Sequence, residues 1–284
     1  MVEISKLKTN DNIVYEFKDS YARGMVNSVR FLPNNPYLHN SLPRCKNIQE
    51  YFDDDSLYER ISNGTFEDLF IGDYWKAKYN GVEKTFRIAG FDTLYNNGSH
   101  SLNKHHAVIV PDEILGSSHM NQTNTTEGGY LNSYMNKTII GGVVSTGGTS
   151  TINQILHTIF GSHLLVTEEL LSSGVDKNAP SVAGANFSGS SNMFQWASCQ
   201  AVLMTEIEIY GSNIFSSSAG DTGEGCIQLP LFQLIPQMKS IKRTPFWLSN
   251  VTNSTAFCFY DSTGHAGHHD ATHQDGIRPR FVIG

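Results

Sequence analysis

Short apolar runs, each bounded by glycine, asparagine or proline, recur along the chain from Phe66 to the C-terminus. Runs of this length and punctuation predict short β-strands joined by turns rather than long helices. In residues 70–92, FIGDYWKAKYNGVEKTFRIAGFD, the turn Tyr79-Asn80-Gly81 separates two arms with apolar residues and predicts a β-hairpin. The continuous apolar run in HHAVIVPD, residues 105–112, predicts a buried central strand. Residues 245–251 and 255–262 predict two more strands.

Two segments have helical periodicity. Ser56-x-x-Glu59 resembles a capping box, in which two side chains bond each other's backbone amides, and Asn63-Gly64 would end that helix. Residues 150–161, STINQILHTIFG, place the apolar positions 152, 155, 156, 159 and 160 on one helical face. Many strands and few helices predict an α+β class, with a twisted, mostly antiparallel sheet and two or three flanking helices.

Two expectations concern the middle of the chain. Residues 172–191 are rich in glycine, serine and asparagine, which predicts a mobile loop. In AVLMTEIEIYG, residues 201–211, Thr205, Ile207 and Ile209 alternate with two glutamates. Alternation with a period of two predicts a strand there.

The composition argues against several classes of protein. The formal net charge of -7 argues against nucleic-acid binding, which requires clustered lysines and arginines to neutralise phosphates. No apolar run reaches the ~18 residues of a membrane span, and the first residues, MVEISKLKTNDN, lack the apolar region of a signal peptide. The cysteines form no CxxC pair, which favours reduced thiols over a zinc site. We therefore expect synthesis in a cytoplasm and no membrane insertion.

The stretch HAGHHDATHQDG, residues 265–276, combines four histidines with two aspartates. On a helix, His269 and His273 could hold one metal ion, as the two histidines of an HExxH site do. However, no glutamate lies between them in that register, and the flanking glycines favour a loop. An exposed loop provides no neighbouring groups to fix the orientation of an imidazole. We predict a solvated loop available for polar contacts, with no bound metal or other cofactor.

Several segments, in one order, resemble a family of domains that is common in phages and prophages of Gram-positive bacteria. The resemblance covers residues 42–284. The matching segments are GTFEDLFIGDYW, FRIAGFD, HHAVIVPD, MNQTNTTEGGY, IYGSNIF, QLPLF, PFWLSNV and GIRPRFVIG.

The closing pattern is similar to the end of C-type-lectin-like domains, which include variable receptor-binding proteins of some phages. The framework pattern falls on Trp247-Leu248 and Gly276-Ile277-Arg278-Pro279, and the exposed variable segment on residues 260–275. The calcium-ligating Glu-Pro-Asn and Trp-Asn-Asp signatures are absent, as is the catalytic cysteine pair of formylglycine-generating enzymes. The resemblance therefore implies a C-type-lectin-like fold without calcium-dependent sugar binding or catalysis. With the histidine segment, it gives these candidates for binding a ligand or partner: Trp247, Asn250, Tyr260, His265, His268, His269, Asp270 and His273.

The segment VYEFKDSYAR, residues 14–23, is similar to a short segment near the start of many phage structural proteins. The similarity implies that residues 1–41 form an extended N-terminal arm that attaches residues 42–284, the C-type-lectin-like domain, to a virion. The matched positions are Tyr15, Lys18, Asp19, Ala22 and Arg23.

Three functions are compatible with these residues. We expect first a non-enzymatic bacteriophage virion structural protein, displayed on the particle surface as capsid decoration or in a tail or baseplate, whose domain binds a host-surface protein or glycan. Its other partners would be virion proteins and further copies of itself in a symmetric homo-oligomer. The alternative is a purely architectural protein that cements capsid subunits. A polysaccharide hydrolase ranks lowest, because it needs two carboxylates flanking one cleft, and no pattern brings together Glu206, Glu208, Asp261 and Asp270.

Overall fold

The computed structural model describes residues 6–8, 14–16, 36–96, 100, 102–144, 151–175, 191–216 and 227–284. The chain divides into two units, Met1–Asn34 and Asn35–Gly284, so the predicted boundary after residue 41 falls within the second unit. In the first unit, β1 (Lys6–Lys8) pairs antiparallel with β2 (Val14–Glu16), and Tyr15 lies opposite Leu7. The other predicted attachment positions lie outside the described residues: Lys18, Asp19, Ala22 and Arg23.

The second unit combines short helices with short strands. Its α-helices are α1 (Pro36–His39), α2 (Gln49–Asp53), α3 (Ser56–Ser62), α4 (Ile152–Phe160), α5 (Glu206–Tyr210) and α6 (Pro230–Leu234). A π-helical segment covers Met135–Ile140, and 3-10 helices cover Gly161–His163 and Pro236–Arg243. Its strands are β3 (Tyr74–Tyr79), β4 (Val82–Phe91), β5 (Ala107–Pro111), β6 (Gly116–Ser118), β7 (Thr167–Val175), β8 (Ser191–Cys199), β9 (Ala201–Leu203), β10 (Phe246–Val251), β11 (Ala256–Tyr260), β12 (Ala266–Asp270), β13 (Asp275–Ile277) and β14 (Pro279–Ile283).

The strands form two larger sheets and a ribbon. One sheet has the order β3-β4-β5-β14-β9, the other the order β12-β11-β10-β13-β6, and β7 pairs with β8. The pairs are antiparallel except between β10 and β13. The predicted α+β class with mostly antiparallel strands is therefore confirmed. None of the helices within the described ranges is long and apolar enough to cross a membrane.

The strongest local patterns form the predicted elements. Asn80 and Gly81 have φ values of 48° and 78°, the left-handed backbone that the turn of a two-residue β-hairpin requires. Every residue of β5 is buried, and β5 lies between β4 and β14, so the central strand is confirmed. Helix α4 is also confirmed: Thr151 and Gln154 form a capping box at its start, and Gly161 follows its last residue.

The helix predicted after residue 56 is present as α3, but its predicted capping box is wrong. The N-cap residue is Asp55, whose side chain makes no capping bond, and Ser56 is already helical. The Asp54 carboxylate accepts the Ser56 amide instead, at 3.0 Å. Helix α2 ends at Asp53, so only two residues separate it from α3. The chain changes direction at Asp55, which has a left-handed backbone conformation (φ 61°). This close succession of two helices leaves no extended residue to serve as a cap.

One prediction for the middle of the chain is wrong, and a second is wrong at both of its ends. The alternating glutamates and isoleucines form helix α5, because Thr205 and Glu208 bond each other's backbone amides at 3.1 and 2.7 Å. Gly211, with φ of 83°, then ends the helix. The predicted loop 172–191 is strand at both ends, since β7 continues to Val175 and β8 begins at Ser191. Residues 176–190 lie outside the described ranges.

A buried charge cluster joins the C-terminal strand to two segments from the middle of the domain sequence. Arg280 of β14 donates to both oxygens of Glu169 on β7, at 2.9 and 2.7 Å, and to Glu208 on α5. The three residues are at most 8% exposed. Two carboxylates opposite one guanidinium raise the pKa of Arg280 despite the opposing effect of burial. Thr167 donates to Glu169 and the Thr205 amide donates to Glu208, so both carboxylates have further partners.

Replacement of Arg280 should therefore destabilise the fold strongly. Arg280→Met leaves two buried carboxylates without their cation, and we expect the free energy of unfolding to fall by about 3–5 kcal/mol. The measurement is urea unfolding followed by circular dichroism. The matched control is Lys76→Met in the exposed Lys76–Glu83 pair, where we expect little change because solvent screens an exposed ion pair. Equal changes in the two variants would contradict this role for Arg280.

A partly exposed ion cluster near the start of the domain gives a pH-dependent prediction. Partial burial raises the pKa of Asp68, but hydrogen bonds from Tyr51, Arg44 and Lys46 outweigh burial and lower it to about 2. A carboxyl whose folded-state pKa is depressed stabilises the fold above its unfolded-state pKa, here 3.8, and loses that contribution as the pH falls towards 2. Asp68→Asn should therefore make the decline of unfolding free energy between these pH values shallower, measured by urea unfolding at a series of pH values. Glu83→Gln, at an exposed carboxylate, is the control, and a decline unchanged by Asp68→Asn would refute the assignment.

Candidate functional site

Residues 266–270 of the histidine segment form strand β12 and residues 271–274 form a turn, so the predicted solvated loop is wrong for residues 266–270. β12 pairs with β11 in a continuous register from Ala256↔Asp270 to Tyr260↔Ala266. The turn between them is closed by Asp261, whose carboxylate accepts the Thr263 amide at 2.6 Å and whose own amide donates to the His265 carbonyl. Glycine at position 267 permits this pairing, because a Cβ there would lie 2.5 Å from the ring of Phe259.

Side chains alternate between the two faces of β12. His268 and Asp270 are exposed, whereas His269 is half-buried. The imidazole of His269 stacks on the ring of Phe259, with centroids 3.8 Å apart, and meets the edge of Trp247 at 6.2 Å. These aromatic rings fix the orientation of His269, which an exposed loop could not do.

A tight turn brings His273 back beside His269. The His273 amide donates to the Asp270 carbonyl at 2.8 Å, and the Ala271 amide donates to both the Thr255 carbonyl and the Asn124 side chain. As a result, the imidazoles of His269 and His273 lie with their centroids 4.0 Å apart.

Both imidazoles bond one carboxylate oxygen. Oδ2 of Asp275, the first residue of β13, lies 2.7 Å from Nδ1 of His269 and 3.1 Å from Nδ1 of His273. The Asp275 side chain is only 2% exposed, compared with 32% for His269 and 51% for His273. A carboxylate oxygen accepts hydrogen bonds, so both Nδ1–H groups donate to Asp275. We call His269, His273 and Asp275 the His–Asp cluster; each offers one ligand atom, and these atoms lie within 4.8 Å of one another.

The predicted site residues fall into two groups. His265, His268, Asp270 and His273 are exposed, and His269 is partly so, which leaves them accessible to a partner. The prediction omits Asp275, since neither propensity nor spacing indicates that an aspartate at the start of a strand would receive two imidazoles. Its proximity to the histidines depends on the turn at residues 270–273, which Asn121 and Asn124 hold from a distant part of the chain.

Three predicted contact residues are buried, which contradicts their assignment to a binding surface. Trp247, Asn250 and Tyr260 are 0, 1 and 2% exposed. The Trp247 indole donates to the Ser118 carbonyl at 2.8 Å, and the Asn250 side chain accepts the Glu206 amide at 2.6 Å. Tyr260 stacks on Phe246, with centroids 4.8 Å apart. All three lie on β10 or β11, inside the sheet, where side chains on both faces are covered.

Two of the carboxylates considered for hydrolysis have structural roles. Glu206 is 0% exposed and accepts the backbone amides of Ile214, Phe215 and Ser216 at about 3 Å. Glu208 is paired with Arg280. Neither side chain is available to flank a cleft.

The chain matches no protein-family model, no curated protein and no solved structure. A functional assignment therefore depends on its own residues and geometry and on the sequence resemblance described above.

Replacement of Asp275 should destabilise the region where β12 turns into β13. Asp275→Ala leaves two imidazole donors without their shared acceptor, and we expect a loss of about 1–3 kcal/mol in unfolding free energy. Asp270→Ala, five residues earlier at an exposed position, should change it by no more than about 0.5 kcal/mol. Urea unfolding of the two variants distinguishes them. If both behave as the parent protein does, the cluster has no structural role.

Proposed function

We propose that this chain is a non-enzymatic structural protein of a bacteriophage virion that is displayed on the particle surface as capsid decoration or in a tail or baseplate. Its C-terminal domain would have a C-type-lectin-like fold and bind a protein or glycan of the host surface. The proposal joins the sequence resemblance to one structural feature, the polar tip of the β11–β12 hairpin.

The framework motifs of the resemblance lie side by side. Phe246, next to Trp247, pairs with Gly276, the first residue of the Gly-x-Arg-Pro pattern, where β10 and β13 run parallel. Arg278 of that pattern is 2% exposed and donates to three carbonyls, those of Pro111, Met238 and Lys239. The pattern therefore has a structural reason, and this arrangement supports a lectin-like framework.

The hairpin tip carries the proposal. The turn at residues 261–265 and the outward side chains of β12 are polar, next to buried aromatic residues of β10 and β11, and His265, His268 and Asp270 are exposed. Among the described strands, β12 pairs only with β11, so its outer edge retains backbone donors and acceptors for a partner. Contact specificity commonly lies in surface segments that a rigid scaffold positions.

Attachment and copy number complete the proposal. Residues 1–41 would join the chain to other virion proteins, and a symmetric homo-oligomer or lattice would present many tips at once. Multiple weak contacts then act together, because each bound tip raises the effective concentration of the next.

A purely architectural protein is the second candidate, and the exposed edge of β12 supports it as well. In that case a neighbouring capsid subunit, not a host ligand, would pair with the edge. Burial of the tip in the assembled particle distinguishes this function from host binding.

The test uses a surface variant that leaves the His–Asp cluster unchanged. His265→Ala/His268→Ala/Asp270→Ala should fold and enter virions normally but bind host cells about 10-fold more weakly, a loss of ~1.4 kcal/mol. Lys76→Ala/Glu83→Ala, on the β3–β4 hairpin, is the control. The readouts are gold-labelled antibody on purified particles and binding of fluorescent protein to host cells.

Each outcome has a distinct meaning. Absence of the chain from purified particles would refute the virion assignment. Loss of the triple variant from particles with no host-cell binding by the parent protein would favour the architectural function. Turnover of a surface polysaccharide by the purified chain, abolished by one carboxylate-to-amide change, would refute the non-enzymatic assignment.

A further inference from the structure

The His–Asp cluster has the donor spacing of a metal site. A tetrahedral zinc ion with bonds of about 2.0–2.1 Å separates its ligand atoms by roughly 3.3 Å. In the cluster, Nδ1 of His269 and Nδ1 of His273 lie 2.7 and 3.1 Å from Oδ2 of Asp275. Outward shifts of a few tenths of an ångström would therefore admit an ion in place of the two shared protons.

The local charge favours a cation. The Asp275 carboxylate is almost fully buried, and in the described part of the chain it forms no ion pair with a lysine or arginine. A buried carboxylate is costly unless a cation or several hydrogen bonds compensate its charge. Its side-chain partners among the described residues are the two imidazoles, whereas a divalent ion bound between them would compensate the charge directly.

The cluster is preorganised and open on one side. The stacking of His269 on Phe259 and the backbone bonds of the turn at 270–273 hold two of the three ligands before any ion binds. His269 and His273 are 32 and 51% exposed, so a fourth position is accessible to water. Three protein ligands with an open fourth position are common for zinc.

From this geometry we infer that His269, His273 and Asp275 bind one divalent transition-metal ion of the zinc type. Imidazole and carboxylate together suit zinc, nickel and copper, whereas magnesium and calcium prefer oxygen ligands alone. To bind the ion through Nδ1, each imidazole must hold its remaining proton on Nε2. The ion would clamp the end of the edge strand β12 to the start of β13. This inference goes beyond the proposed function and does not depend on it.

The same hairpin supplies a matched control. His265 and His268 are exposed histidines close in sequence to the cluster, but neither contacts Asp275; His268 faces Phe215 and His265 bonds Thr263. His265→Ala/His268→Ala removes two imidazoles from this hairpin, whereas His273→Ala removes one from the cluster. Weaker binding by His273→Ala but not by the double variant therefore reports position, not histidine content.

The experiment uses the full chain without an affinity tag, freed of metal by a chelator. Calorimetric titration with ZnCl2 should give one equivalent of bound Zn2+ for the parent and for His265→Ala/His268→Ala. His273→Ala, which removes the most exposed ligand, should bind at least about 100-fold more weakly, because loss of even an outer-shell partner of a ligand costs about 10–100-fold. Co2+ in place of Zn2+ should give the visible absorption of a tetrahedral site in the parent but not in His273→Ala.

Thermal unfolding provides a second readout, with circular dichroism confirming that each variant is folded. Zn2+ at 100 times its Kd should raise the Tm of the parent by roughly 5–10 °C, since an ion that binds only the folded state stabilises it. Absence of Zn2+ binding by the parent at tens of micromolar, or equal binding by His273→Ala, would overturn the inference. A weakened His265→Ala/His268→Ala variant would equally overturn it, by placing the ion on the outer face. None of these results affects the tests of virion location.

Discussion

The contact of Arg280 with Glu169 and Glu208 fixes the position of the C-terminal strand, and much of the domain is built around that strand. β14 lies between β5 and β9, so its register determines how the first hairpin and the later helices meet. Removing three charged groups from water is costly, and the cost is offset only when their geometry is held closely. Here the guanidinium bonds both oxygens of Glu169 while also reaching Glu208, so a shift of the strand by one residue would leave charges uncompensated. Apolar contacts such as those of Phe281 tolerate small shifts better than this cluster does.

Arg278 holds the point at which the chain passes from one sheet to the other. β13 belongs to one sheet and β14 to the other, with Arg278 between them. Its three bonds go to backbone carbonyls rather than carboxylates, and burial lowers its pKa to about 10. These bonds connect Arg278 to β5, through Pro111, and to the 3-10 helix Pro236–Arg243, through Met238 and Lys239. Asp275, three residues upstream, is consequently held at the start of β13, where the two imidazoles reach it.

Sequence patterns correctly predicted those strands and helices whose conformation is determined by their own residues. The β3–β4 hairpin forms around a turn that Asn80 and Gly81 themselves favour. Helix α4 forms because the apolar side chains among its nine residues lie on one face. One wrong prediction has a local cause, and the others concern residues whose conformation depends on distant parts of the chain. At residues 205–209 the alternation fits strand and helix equally over so short a run, and the reciprocal bonds of Thr205 and Glu208 select the helix. Residues 266–270 form a strand because they pair with β11 and Asp261 closes the turn between the two strands. The partnership of Asp275 with His269 and His273 depends on a turn held by Asn121 and Asn124, which no local pattern connects with residue 275.

Because side chains alternate along a strand, the two faces of β12 have different surroundings. His268 and Asp270 face outward from β12, while His269 faces the aromatic base and Asp275. Groups on the inner face can therefore fix the shape of the hairpin without occupying the outer face. A preordered tip loses less conformational entropy when a partner binds, so more of the contact energy contributes to affinity. The His–Asp cluster and the exposed contact residues share no residue, but they are linked through the backbone of β12. A hydrogen bond or an ion that makes the turn at 270–273 more rigid therefore also affects the affinity of a partner for the exposed edge of β12.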